Sequence, residues 1–247
     1  MRWGSRTVLD RVNLTLDAGE RLVVVGPSGS GKSTVLRLLA GLQLPTSGRL
    51  ELHGVAQEYL RLDQRFPPDV RLVFQNPALL GSLTVRENVG FLLYRSSRLN
   101  EREIRQRVRD ALDAVGLSGI EEQLPGELSG GMQKRVSFAR ALIQDPTLNQ
   151  GQMPLLLFDE PTAGLDPVAC TRIEDLIVRT TAVAQASSVV VSHVHSTIKR
   201  SGTQVALLYE GQFRWCGSVA EYLSCSDPYV VQFRSGSLRG PMQPAEL

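Results

Sequence analysis

Gly26-Pro27-Ser28-Gly29-Ser30-Gly31-Lys32-Ser33-Thr34 is the stretch on which the fold turns. The apolar run Leu22-Val23-Val24-Val25 precedes it, and the helical pattern Val35-Leu36-Arg37-Leu38-Leu39-Ala40 follows. Strand, glycine-rich turn and helix form the context that a phosphate-binding loop requires. The glycines open backbone conformations closed to other residues, so successive N–H groups can converge on phosphate oxygens. The start of the helix adds its positive dipole end to the same pocket. In such a loop Lys32 reaches the β- and γ-phosphates, and the Ser33 hydroxyl ligates Mg²⁺. The stretch predicts a nucleoside triphosphate site.

The composition permits one large core or two small ones in 247 residues. A net charge of +2 gives no reason to expect a nucleic-acid-binding surface. No apolar run approaches the roughly 20 residues of a membrane-spanning helix, and Met1 to Arg6 lacks the apolar stretch of a secretion signal. Cys170, Cys216 and Cys225 are widely spaced, without a metal-ligand pattern, and read as free thiols in the reducing cytoplasm.

Before the phosphate loop, Thr7-Val8-Leu9 and the alternating Val12-Asn13-Leu14-Thr15-Leu16 read as strands. Trp3 alone is an ordinary aromatic; beside a nucleotide site it becomes a candidate platform for stacking adenine. After the first helix, Arg49 to Gly54 reads as another short strand. Val70 to Gln75 reads as a strand ending in a glutamine, which is either a plain polar end or an amide oxygen near the Mg²⁺ and the attacking water. From Asn76 to about Gln144 no strand signal appears. Thr84 and Glu87 form a capping box, and Ile104, Val108, Ala111, Leu112 and Val115 repeat at helical spacing, with Gly116 just past the helix end. The region reads as a helical subdomain inserted into an α/β domain.

Ser129-Gly130-Gly131 opens a further helix; it is either a plain cap or a second place for a phosphate. Leu155 to Phe158 is fully apolar and ends in Asp159-Glu160. Buried parallel strands have this texture, and ligands gather at their carboxyl ends. Asp159 is thus a candidate Mg²⁺ ligand, and Glu160 the general base or the group that orients the attacking water. Val189-Val190-Val191-Ser192-His193 is one more apolar strand, whose histidine is either structural or a partner of the γ-phosphate. Residues 205–217 suggest a hairpin, and the chain from Asp227 is polar and contains Gly and Pro.

Taken in order, the phosphate loop, Gln75, the signature Leu128-Ser129-Gly130-Gly131-Met132-Gln133, the Asp159-Glu160 pair, the Gly164-Leu165-Asp166 turn and His193 resemble the nucleotide-binding subunit of ATP-binding cassette (ABC) transporters. Closer texture appears at Ser82–Phe91, Asp159–Pro167, His193–Ile198, Val231–Phe233, Gly236–Leu238 and Gly240-Pro241. These stretches look like the ATPases of maintenance-of-lipid-asymmetry transporters and their chloroplast lipid-import relatives. The resemblance implies a phosphate-loop α/β core of ABC type, with an antiparallel β subdomain and the helical insertion at about 76–144. It implies one nucleotide-binding domain over 1–227 and a C-terminal tail over 228–247. It also implies ATP and Mg²⁺ as bound groups, with Lys32, Gln75, Glu160 and His193 at the chemistry, and Ser33, Gln75 and Asp159 at the metal. Trp3, residues Gly26 to Thr34, Ser129, Gly130, Gly131, Gln133 and Asp166 would touch nucleotide.

The implied partners are a second copy paired head to tail, a multispanning permease and a lipid-binding protein with an MCE (mammalian cell entry) domain, with no nucleic acid. The place implied is the cytoplasmic face of the inner membrane. Two departures from the family pattern stand out. Val194 and His195 follow His193 where an aspartate often does, which leaves His195 a structural reading. Residues 147–154 make a longer link than usual, read as a surface loop.

Overall fold

In the computed structural model, residues 1–65, 67–146 and 152–243 are described. The chain starts with two short strands, β1 (Arg2–Trp3) and β2 (Arg6–Thr7), followed by β3 (Arg21–Val25) and α1 (Lys32–Leu39). A small ribbon, β4 (Glu51–Leu52) with β5 (Val55–Ala56), leads to β6 (Val70–Val73). Three helices come next: α2 (Val85–Ser96), α3 (Glu101–Ala114) and α4 (Gly130–Leu142). The core resumes with β7 (Leu155–Asp159), α5 (Pro167–Val183), β8 (Ser187–Val191) and α6 (His195–Ser201). It closes with β9 (Gln204–Tyr209), β10 (Gln212–Ser218), α7 (Val219–Ser224) and α8 (Pro228–Ser235).

The main sheet runs β10-β9-β3-β8-β7-β6. Its pairs from β9 to β6 are parallel, and only the β9–β10 edge is antiparallel. Leu22 to Val25, Leu155 to Phe158 and Ser188 to Val191 are all buried, because helices cover both faces. One core cluster lies on the side of α2 to α6, and a second gathers α1 with Leu9, Leu22, Val24, Leu157 and Leu208. The parallel register is what positions the site. It ends β3, β8, β7 and β6 at one carboxyl edge, where α/β folds receive ligands.

Between β6 and β7 the described residues hold helices and turns but no strand. The Thr84–Glu87 capping box forms, and a second one, Asn100 with Glu103, starts α3. Ile104, Val108, Ala111 and Leu112 make the buried face of α3, and Gly116 follows its end with φ 69°.

Three expectations need correction. Residues 12–16 form no ladder: Val12 and Leu16 pack on the second core cluster, but no neighbouring strand receives their backbone groups, so the antiparallel pairs are the two small ribbons and the β9–β10 edge. The strand at 70–75 stops at Val73, leaving Phe74 and Gln75 exposed beyond its last partner, Phe158. Residues 228–243 do not trail as a tail. Asp227 caps α8, Val230 and Gln232 are buried, and the Gln232 amide donates to Met242 O at 2.7 Å and accepts from Met242 N at 2.7 Å. Arg214 lies over the rings of Tyr209 and Tyr229, fastening α8 to the last strands. Of the 147–154 link, residues 147–151 lie outside the described residues. All three cysteines are free, and among the described residues no helix is long and apolar enough to cross a membrane.

Candidate ATP site

The phosphate loop leaves β3 at its buried end and turns under the last parallel strand. Gly26 takes φ 150°, and a Cβ there would overlap the Leu208 carbonyl oxygen, so only glycine fits this close approach. Gly31, with φ 108°, is the residue from which α1 starts. Lys32 is buried, and its Nζ donates to Gly26 O and Pro27 O, each at 2.9 Å. Burial pushes its pKa down, opposed by the charges of Glu160 and Asp159. An ammonium parked on its own loop's carbonyls can exchange those partners for phosphate oxygens without moving far. The Ser30 hydroxyl is buried and finds no partner among the described residues. An orphaned buried hydroxyl in a loop of converging N–H groups suits an anion. The residues present therefore fit a nucleotide's phosphates.

Ser33 Oγ and Asp159 Oδ1 lie 3.5 Å apart. Burial, and secondarily the charge of Glu160, hold the Asp159 pKa above the usual carboxylate value; Ser33 and Arg37 pull the other way. A hydroxyl and a carboxylate oxygen so placed match what a hard divalent cation takes. Gln75 lies exposed beyond the end of β6, the strand next to β7 in the sheet, with its amide in no hydrogen bond among the described residues.

Glu160 adopts φ 44°, the left-handed region, strained for a side-chain-bearing residue. Its N–H donates to Val191 O at 3.0 Å, and its own carbonyl accepts from Ala163 N at 3.1 Å. This tight turn brings Glu160 Oε2 to 2.9 Å from Nδ1 of His193, at the end of neighbouring β8. Ser192 supports the histidine's loop from inside, its Oγ accepting from Val194 N at 3.0 Å. His195, by contrast, turns inward against the Tyr222 ring at 6.0 Å, its pKa lowered chiefly by burial.

Trp3 is 46% exposed. The Arg37 guanidinium stands 6.0 Å from its ring centroid, one helical turn beyond Ser33. The sequence reading missed Arg37; a cation four residues past the loop serine, on the same helix face, is the signal that could have found it.

The signature residues stand apart from this cluster. Ser129 Oγ caps α4 by accepting from Met132 N at 3.3 Å, while Ser129, Gly130 and Gly131 are all exposed. Gln133 donates its amide to Pro125 O at 2.9 Å and Leu128 O at 3.3 Å, so it holds the turn before the helix. Asp166 caps α5, accepting from Val168 N at 2.9 Å and Ala169 N at 3.0 Å, which lowers its pKa. Both side chains expected at the nucleotide are engaged locally.

A phosphate loop, an acid pair and a histidine on one edge of a parallel sheet define a nucleotide-hydrolysing core, and this chain belongs to the ABC transporter family, whose description "ABC transporter" matches residues 9–163. It is 46% identical, over 98% of its length and 73% of the relative's, to Protein TRIGALACTOSYLDIACYLGLYCEROL 3, chloroplastic, of Arabidopsis thaliana. It is 34% identical, over 97% of its length and 89% of the relative's, to the intermembrane phospholipid transport system ATP-binding protein MlaF of Haemophilus influenzae. A probable ribonucleotide transport ATP-binding protein, mkl, of Mycobacterium tuberculosis is 35% identical over 99% of this chain and 67% of that one. Among solved structures, the dimeric post-hydrolysis ATP-binding cassette MJ0796 bound to ADP and Pi matches with TM-score 0.75 and 31% identity, covering 89% of this chain and 94% of that one. The chain is an ABC ATPase, and its cassette binds and hydrolyses ATP.

Proposed function

We propose that this ATPase powers phospholipid transport between membranes through a partner permease, sitting on the cytoplasmic face of the inner membrane. The ATPase chemistry rests above all on the contact between Glu160 and His193 beside the phosphate loop. In this reading the N–H groups of residues 26–34 and Lys32 hold the β- and γ-phosphates, and Trp3 stacks on adenine. A Mg²⁺ ion held by Ser33 and Asp159, with Gln75 beside it, would neutralise charge between the phosphates. Glu160 accepts the proton of the attacking water, and His193 keeps that carboxylate aimed at the γ-phosphate.

Two copies pair head to tail, so that Ser129, Gly130 and Gly131 of one close over the nucleotide of the other. The exposed, unobstructed glycines at the start of α4 support this arrangement. Gln133 and Asp166 shape the signature turn and the start of α5, and through those turns come to the nucleotide when the pair closes. Residues 1–227 form one nucleotide-binding domain with the helical part at 76–144 inserted, and Gln75, at its entry, passes opening and closing towards the permease. An MCE-domain lipid-binding protein completes the assembly, and nucleic acid plays no part.

The lipid assignment is carried by a match spanning nearly all of the chain to a relative named for intermembrane phospholipid transport. Mild-detergent co-purification from native membranes, with mass spectrometry of partners and lipids, tests it. A permease with an MCE-domain protein and bound phospholipid is the expected result. A permease carrying another cargo, such as a ribonucleotide, would keep the ATPase and remove the lipid. Recovery with ribosomes or DNA alone would overturn the transport assignment.

A further inference from the structure

Behind the Glu160–His193 contact, one buried carboxylate ties the two loops together. The Glu174 side chain, on α5, is 0% exposed. Its Oε1 accepts from Ser196 Oγ at 2.6 Å and from Thr197 Oγ1 at 2.9 Å, both in α6, which starts two residues after His193. Arg200 Nε lies 3.4 Å from its other oxygen. Thr197 Oγ1 is also 3.5 Å from Thr162 Oγ1, two residues beyond Glu160. A hydroxyl has one proton, and that of Thr197 goes to the carboxylate, so Thr162 donates to Thr197. The contacts thus run from the turn holding Glu160, through Thr162, Thr197, Glu174 and Ser196, back to the loop holding His193.

Apolar side chains would join α5 to α6 without the cost of desolvating a carboxylate. What a carboxylate adds is direction, because its acceptor sites fix the rotation and height of α6 where a greasy contact would let it slide. The Ser196-Thr197 pair lies in the His193–Ile198 stretch that the sequence set apart. We infer that Glu174 is a positioning residue for ATP hydrolysis: through the hydroxyls of Ser196, Thr197 and Thr162 it holds His193 in register with Glu160. The inference rests on the assignment of Glu160 and His193 to the reaction.

The test uses the full-length chain in the membrane complex with which it purifies, measuring kcat, KM, ATP affinity and melting temperature. Glu174→Ala is expected to lower kcat by about twentyfold while KM and ATP affinity stay within about twofold, since misplacement costs the chemical step and not ground-state binding. Glu174→Gln, whose amide oxygen accepts the same two bonds, should keep at least about a third of the activity. In a His193→Ala background, Glu174→Ala should cost less than about threefold more, because groups acting as a unit are not additive. An equal loss in both backgrounds, or a folded variant whose KM and kcat worsen alike, would overturn the inference. Should Glu174→Ala not fold, Ser196→Ala with Thr197→Val removes the same bonds at nearly constant packing, and unchanged kcat there would overturn it too. If Glu160→Gln and His193→Ala hydrolyse ATP at the native rate, the site assignment falls and carries this inference with it.

Discussion

Helices α1 and α4 both begin at glycines, but those glycines answer to different neighbours. A side chain at Gly26 would overlap the backbone of Leu208, and one at Gly31 would press on Leu9 and the Val8 carbonyl. At Gly130 and Gly131 a Cβ would meet nothing within 4 Å. The first set is demanded by the chain's own packing; the second leaves room for something that is not this chain. The residues around α1 make a finished half of a site, with lysine, acid pair and histidine mutually placed. The start of α4 carries a cap, two bare glycines and no hydrogen bond to that cluster among the described residues. A half that is preorganised and a half that is merely presented are what an ATP-gated pairing of two identical chains needs, because closure then depends on nucleotide and not on a standing interface.

Within the preorganised half, Glu160 carries the largest expected effect. Glu160→Gln should cut steady-state ATP hydrolysis by about 10²-fold or more, leaving ATP bound and the two copies closed. Radioactive phosphate release and size-exclusion chromatography read both at once, and a native rate would remove Glu160 from the chemistry. Next comes Gly26→Ala, which should destabilise the chain by about 2–4 kcal/mol through strain and overlap, and abolish nucleotide binding. Denaturant unfolding measures it; Gly130→Ala, with open space around it, should cost less than about 1 kcal/mol in the isolated chain. Ser129→Arg sharpens the contrast from the other side. ATP-driven pairing should weaken by about tenfold or more while the monomer binds ATP as before, since an arginine's bulk blocks the approach of the second copy. Dimers persisting with ATP would sink the role across the interface.

The smallest effect belongs to Tyr222, whose ring packs behind His195. Its hydroxyl is buried without a partner among the described residues, and burial pushes its pKa up to about 12. Because the neutral form is favoured in the folded state, the unfolded chain ionises first. Stability should therefore fall as pH rises from about 10 towards 12. Tyr222→Phe should raise stability by up to about 1 kcal/mol at neutral pH and shallow that alkaline decline, as melting curves against pH would show.

Legibility followed range along the chain. The phosphate loop, the Asp159-Glu160 pair, both halves of the Thr84–Glu87 box and the helical spacing of α3 could be read because each is a local pattern with its own physical meaning. Val12 to Leu16 misled for the same reason: alternation says which face is buried, and says nothing about whether a neighbouring strand is there to pair. The segment from 228 misled in the opposite sense. Its polar, Gly- and Pro-containing texture looked like a tail, yet Gln232 spends its amide on Met242, and Arg234 donates to the Tyr222 carbonyl at 2.6 Å.

Sequence alone therefore determined the family and its ATPase activity, since the phosphate loop, the signature and the acid pair are short runs of fixed residue types. Tertiary structure alone decided that Glu160 touches His193, that Gln133 and Asp166 serve local turns, and that a buried Glu174 joins the two reactive loops. Those contacts join residues far apart in the chain, brought together only when parallel strands end at a common edge. No single stretch carries that juxtaposition, because it belongs to the register of the sheet.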